Sequence, residues 1–225
     1  MIIKPILKKV FLFNLILLCN LKAFSQIVIN VDSLTEKMCY SLNTDSYESD
    51  SASLVNMFAK HLSGYVGKIS ESELDSIYTK CFFRLQVTCK LFKTILDKID
   101  PGNDDWVSVN EMPKSKLSRS ECDDFFSLTK YKYLENNGDT TIVHLTQRSW
   151  QDYFIDGTYS KLTLKRTSAS DFDLIFLESN NLSRKNMSNT GDTYSYRILE
   201  KKNGYYLMLI HIKKSSQMAT FKLYY

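Results

Sequence analysis

The chain has 225 residues, with 29 basic and 25 acidic side chains, 44% hydrophobic residues, three prolines and seven glycines. This composition excludes a disordered chain and suits one large domain or two small ones. The formal net charge of +4 comes from the first 25 residues, which hold four lysines and no acidic residue. Without them the chain is neutral, which excludes the basic field that nucleic acids or anionic membrane surfaces require.

Residues 1–25 have the layout of a secretory signal peptide. An apolar run at 10–21 is followed by a segment of small residues that ends at Ser25. The run is shorter than the roughly 20 apolar residues that a membrane-spanning helix needs. We therefore expect cleavage after Ser25, a secreted or periplasmic protein, and no transmembrane segment in the mature chain. The lysines that open the segment are Lys4, Lys8 and Lys9.

Residues 26–100 predict an antiparallel helical domain. Ser33 and Ser70 each stand three residues before a glutamate, which is the pattern of the capping box that begins a helix. After Ser70 apolar residues recur at intervals of three or four, so the pattern predicts one long helix over 70–99. A shorter helix is expected over 52–62. Such apolar stripes are typical of the core of a helical bundle.

Four cysteines remain once Cys19 leaves with the leader, and an even number favours disulfide bonds in an oxidising compartment. If 70–99 is one helix, Cys81 and Cys89 are roughly 12 Å apart along its axis, beyond the about 7 Å between Cα atoms that a disulfide allows. Cys39 is then expected to bond one of these two and Cys122 the other, with buried free thiols as the alternative. The absence of Cys-x-x-Cys argues against thiol exchange and structural zinc.

Residues 101–121 predict a polar linker, and residues 122–225 an antiparallel β domain. From Phe125 onward the hydrophobic period becomes two, and Asn-Gly or Asp-Gly pairs mark tight hairpin turns. Because no crossover helix intervenes, the strands should form a β-meander that closes into a barrel or a strongly curled sheet. The fold class is therefore α+β. The eight candidate strands are 125–134, 140–146, 149–155, 158–167, 171–179, 192–200, 204–212 and 218–225.

Sequence motifs in the β domain resemble those of a class of known proteins. It opens with Cys122-Asp123-Asp124-Phe125-Phe126 and continues through the segments 157–162 and 171–180. With the leader and the cysteine-bearing helices, these motifs resemble a loose class of small unannotated secreted proteins of Bacteroidetes bacteria. The resemblance implies helices followed by a small antiparallel β domain, and it implies no activity. In that class a tryptophan and a cysteine precede the second segment, whereas Arg166 and Ser170 stand there in this chain.

Motifs that carry catalytic or metal chemistry are missing from the sequence. Neither a Gly-x-Ser-x-Gly nucleophile motif nor a glycine-rich phosphate loop occurs. The three histidines lack the spacing of a zinc site, which takes three or four protein ligands. We predict no metal, no cofactor and no catalytic residue. An enzyme is the least favoured hypothesis, because its site would have to assemble from the scattered residues His144, Asp152, Asp156 and His211.

Tyrosines in the predicted strands are the remaining functional signal. An apolar ring with a hydroxyl suits the wall of a binding cavity as well as a half-exposed sheet face. An eight-stranded barrel is filled by its own side chains or holds one small ligand. The preferred hypothesis is a non-enzymatic binding module with a lipocalin-like site for a small apolar ligand. The alternative is an envelope protein–protein interaction module without a pocket. The tyrosines expected at the ligand site are Tyr131, Tyr133, Tyr194, Tyr196 and Tyr206.

Overall fold

The computed structural model describes residues 28–225, so the predicted leader and its cleavage site lie outside the described residues. Helices occupy the N-terminal part of this range, and antiparallel strands occupy the C-terminal part. The α+β prediction, with helices followed by an eight-stranded antiparallel β-meander, is confirmed. None of the helices within residues 28–225 combines the length and the apolar character that crossing a membrane requires.

Four helices form the N-terminal unit around their own apolar core. The Ser70 capping box is confirmed, because Ser70 and Glu73 bond each other's backbone N–H groups at the start of the third helix. The first helix starts before Ser33, because Asn30 is its N-cap and accepts a hydrogen bond from the Ser33 amide at 3.0 Å. The helices are α1 (Val31–Thr44), α2 (Asp50–Leu62, followed by a 3₁₀ turn at Ser63–Tyr65), α3 (Glu71–Thr88) and α4 (Lys90–Ile99).

The single helix predicted over 70–99 is wrong, because it is broken at Cys89. This residue has an extended backbone (φ −130°, ψ 104°), so that α3 ends and α4 begins on either side of it. Cys89 forms a disulfide bond with Cys39 of α1, with 5.6 Å between the Cα atoms. This is one of the two pairings that the sequence left open for Cys39. The break turns α4 so that Phe92 and Ile95 enter the helical core.

The second predicted disulfide, to Cys122, is wrong. Cys81 and Cys122 are both buried free thiols. They cannot meet, because Cys81 packs in the core of the helices and Cys122 packs in the core of the barrel. Burial raises the pKa of the Cys81 thiol to about 12, so this group is inert as a thiolate nucleophile at neutral pH.

Strands β2 to β9 form a closed antiparallel barrel, and all neighbouring pairs are antiparallel. The last strand, β9, pairs with β8 along its length and meets β2 where Lys132 lies opposite Tyr224. An extra strand, β1, comes from the predicted linker and pairs with β9 through Trp106 opposite Phe221. The strands are β1 (Trp106–Ser108), β2 (Lys130–Leu134), β3 (Thr140–Leu145), β4 (Ser149–Tyr153), β5 (Tyr159–Arg166), β6 (Asp171–Ser179), β7 (Thr193–Lys202), β8 (Tyr205–Ile212) and β9 (Gln217–Tyr224).

The first predicted strand, 125–134, is wrong over its initial residues, which belong to helix α5 (Arg119–Ser127). Ser118 and Glu121 form a capping box that begins this helix. Its Phe125 is fully buried in one end of the barrel and stacks on the Tyr131 ring, with 5.0 Å between ring centroids. The segment is therefore a plug, and the chain becomes a strand only at Lys130.

Arg84 of α3 joins the helical unit to the barrel. Its side chain is only 3% exposed, and its Nε donates to the Asp32 carboxylate of α1 at 2.7 Å. Its Nη1 donates to the Met187 carbonyl at 2.9 Å and to the Asp192 carboxylate, both in the connection between β6 and β7. That connection holds a short helix, α6 (Leu182–Met187). The guanidinium therefore links α1, α3 and the α6 connection.

Candidate ligand-binding site

A cavity of about 1110 Å³ extends from the barrel interior to the space beside helices α3 and α4, and it opens at the end opposite the α5 plug. The rim consists of the β2–β3, β4–β5 and β8–β9 turns together with α6. Helices α3 and α4 lie beside the opening, where they contribute Phe83, Val87 and Lys90. A cavity of this size has room for one small molecule of the size of a drug or a cofactor.

Most of the cavity wall is apolar and aromatic, because inward and outward side chains alternate along each strand. Tyr196 stacks on Phe172, with 5.4 Å between centroids and nearly parallel planes, and it also stacks on Trp150 at 6.1 Å. Both tryptophans of the chain are in this wall. The larger apolar and aromatic lining residues include Trp106, Trp150, Leu162, Leu174, Phe176, Ile210, Ile212 and Phe221.

An ion pair lies near the opening of the cavity. Arg184 of α6 donates from Nη2 to both carboxylate oxygens of Glu135 at 2.7 Å, and both side chains are 24% exposed. The Thr141 hydroxyl donates to the same carboxylate at 2.7 Å. Burial disfavours the charge of Arg184, but the neighbouring Tyr133, Glu135 and Asp152 raise its pKa above the ordinary value. The guanidinium therefore stays charged.

Asp152 is the buried carboxyl group of the site. It lies on β4, is 6% exposed and lines the cavity. The indole N–H of Trp150 donates to its Oδ1 at 2.7 Å. Within residues 28–225 its Oδ2 accepts no hydrogen bond, and no basic side chain forms an ion pair with it. Burial raises the pKa of Asp152 to about 7, although the charge of Arg184 acts in the opposite direction.

The five tyrosines predicted at the ligand site divide into two groups. Tyr133, Tyr194 and Tyr196 line the cavity. Tyr131 and Tyr206 instead pack against the plug at the closed end, where the Tyr131 hydroxyl donates to the Phe125 carbonyl at 2.5 Å. They point inward like the other three, but α5 fills the space in front of them. Burial raises the pKa of Tyr133 and of Tyr196, so both hydroxyls stay protonated.

The four scattered residues of the enzyme hypothesis are not brought together. His144 alternates with the buried Val143 and Leu145 and is exposed outside the barrel. His211 likewise alternates with the cavity-lining Ile210 and Ile212. Asp156 is in the β4–β5 turn at the rim, where its carboxylate accepts hydrogen bonds from Thr158. Across residues 28–225 no cluster of three or more potential metal ligands occurs.

The sequence analysis did not identify the Arg184–Glu135 pair, and it considered Asp152 only as a catalytic group. Arg184 is in place because Asn181 caps α6, with its side chain accepting hydrogen bonds from the amides of Ser183 and Arg184 at 3.2 Å. An Asn at this position of a helix start is a recognisable signal. Its partner Glu135 is 49 residues away in the chain, and no local pattern connects the two.

Comparison with known proteins found no matching family model, no matching curated protein and no matching solved structure. The closed barrel of eight antiparallel strands is compatible with a lipocalin-like binding fold. Fold alone does not define a function. The functional assignment therefore rests on the cavity and the side chains that line it.

Proposed function

We propose that this protein is a non-enzymatic binding module that holds one small ligand inside its barrel. The observation that carries the proposal is the cavity of about 1110 Å³. A largely apolar and aromatic wall with a few convergent polar groups is the usual form of a small-molecule site. Here the polar groups are Asp152 and the Arg184–Glu135 pair, all towards the open end.

The geometry suggests how such a ligand would sit. Its apolar body would lie between the rings of Trp150, Tyr196 and Phe221, deep in the barrel. Burying about 200 Å² of apolar ligand surface would contribute about 5 kcal/mol before the costs of association. Its polar end would face Asp152 and Arg184. Helices α3 and α4 beside the opening would limit exchange with solvent.

The disulfide supports a location outside the cytosol, as predicted from residues 1–25, because such bonds persist in oxidising compartments. The resemblance to small secreted proteins of Bacteroidetes bacteria agrees with that proposal. An interaction module without a pocket is the alternative function. The cavity favours the ligand-binding hypothesis, since an interaction module has no need of an open barrel interior.

The proposal is tested with the neutral fluorescent probe phenylnaphthylamine. We expect saturable binding with quenching of tryptophan emission, since both indoles are in the wall. Ala219 lines the cavity on β9, so Ala219→Phe should weaken binding of the probe at least tenfold. Ala169 is exposed in the β5–β6 turn at the plugged end, so Ala169→Phe is the matched control and should bind normally. Equal binding by both variants, or no saturable binding by the parent protein, would refute the proposal.

A further inference from the structure

Resting on that proposed function, we infer that the ligand is an organic cation, an ammonium group on an apolar or aromatic body, whose charged end is received by Asp152. Asp152 is the group in the wall best placed for this role. It is 6% exposed and lines the cavity, and within residues 28–225 only its Oδ1 accepts a hydrogen bond, which comes from the Trp150 indole. A carboxylate accepts several hydrogen bonds, so Oδ2 is an open acceptor for an ammonium N–H.

The charges around Asp152 leave it without a counter-ion of its own. Tyr133 faces it from β2, Glu135 from the β2–β3 turn, Arg184 from α6, and Tyr196 from β7. Arg184 and Glu135 neutralise each other through their direct ion pair. With Asp152 ionised, this cluster therefore carries one net negative charge inside the barrel. A buried charge is costly unless an opposite charge compensates it, and the cation of a ligand would do so.

The aromatic rings beside Asp152 fit the same ligand. Tyr133, Trp150 and Tyr196 all line the cavity, and aromatic rings attract organic cations. An anionic ligand would meet two carboxylates, those of Asp152 and Glu135, close to the guanidinium that could bind it. Three lysines of α4 lie near the opening. Lys93 pairs with Asp97 and Lys98 with Asp50. Lys90 forms no ion pair within residues 28–225, but it is not one of the groups whose charge shifts the pKa of Asp152.

Three compounds with one common body test the inference: naphthylethylamine, naphthylethanol and naphthylpropionate, each displacing phenylnaphthylamine. At about pH 8 the amine should bind at least tenfold more tightly than the alcohol, the gain typical of a hydrogen bond to a charged group. The propionate should bind most weakly. Affinity for the amine should fall about tenfold between about pH 8 and pH 6, as Asp152 takes up a proton.

Asp152→Asn supplies the decisive variant, because its amide oxygen can still accept from Trp150. It should bind the amine no better than the alcohol, with no pH dependence. Asp173→Asn is the matched control, since Asp173 alternates with cavity residues on β6 and bonds Ser195; it should keep the amine preference. Probe binding without an amine preference, or a preference that survives in Asp152→Asn, would overturn the inference and leave the binding function standing. Failure of the neutral probe to bind would refute the binding function itself.

Discussion

Replacing Asp152 by Asn should stabilise the ligand-free protein, and the gain should grow with pH. Burial raises the pKa of Asp152 from 3.8 to about 7 in the folded state. Between these values the folded protein holds a proton that the unfolded chain has released, so its stability falls as the pH rises. At about 1.4 kcal/mol for each unit of pKa, the carboxyl costs about 4 kcal/mol above pH 7. The neutral amide avoids this cost and keeps an acceptor for the Trp150 indole.

Urea unfolding at about pH 5 and about pH 8 measures the effect, because the cost is only about 1.5 kcal/mol at the lower pH. The gain from Asp152→Asn should therefore be about 2 to 3 kcal/mol larger at the higher pH. Asp171→Asn is a control whose effect on stability should have the opposite sign. Burial acts to raise the pKa of Asp171, but hydrogen bonds from Ser168 and Arg197 lower it overall. That variant should lose stability at neutral pH. A gain from Asp152→Asn that is equal at both pH values would refute the electrostatic reasoning.

Three further predictions concern the disulfide bond, the contact between the helices and the barrel, and the predicted leader. The double variant Cys39→Ser, Cys89→Ser removes a disulfide bond between residues 50 apart in the chain. Because the unfolded chain gains loop entropy, the free energy of unfolding in urea should fall by about 4 kcal/mol. No loss would show that the bond does not constrain the unfolded chain. Arg84→Met should lower the free energy of unfolding by about 3 kcal/mol, because the carboxylates of Asp32 and Asp192 lose their counter-ion. An unchanged urea midpoint would contradict this role. Mass spectrometry of the exported protein should find Gln26 as the first residue, and intact material beginning at Met1 would contradict the leader prediction.

Much of the β domain could be predicted from local patterns. Alternation placed seven of the eight strands, and Gly138, Gly157 and Gly204 have the positive φ angles expected of their turns. The plug was missed because Phe125 and Phe126 stand only a few residues before β2, and their apolar character fits the start of a strand as well as the end of a helix. The capping box at Ser118 was the overlooked signal.

The break in the long helix and the charged cluster were beyond local reasoning. Residues 70–99 keep one apolar stripe that passes through Cys89. The backbone of Cys89 is extended, and this residue forms the disulfide bond to Cys39 of α1; the spacing of the apolar residues indicates neither feature. The Arg184–Glu135 pair similarly joins segments that are distant in the chain. All five tyrosines named from the sequence lie on barrel strands, but only the position of the plug separates Tyr133, Tyr194 and Tyr196, which line the cavity, from Tyr131 and Tyr206.

The ring of strands is completed by β9, and this has a consequence for biogenesis. β9 pairs with β1 and meets β2, both of which precede it by more than eighty residues. While the chain is being made, those two early strands expose unpaired backbone edges until residues 217–224 arrive. Exposed edges are sites of aggregation, and distant pairings form slowly. A folding helper that shields strand edges would therefore be needed most just before the last strand docks.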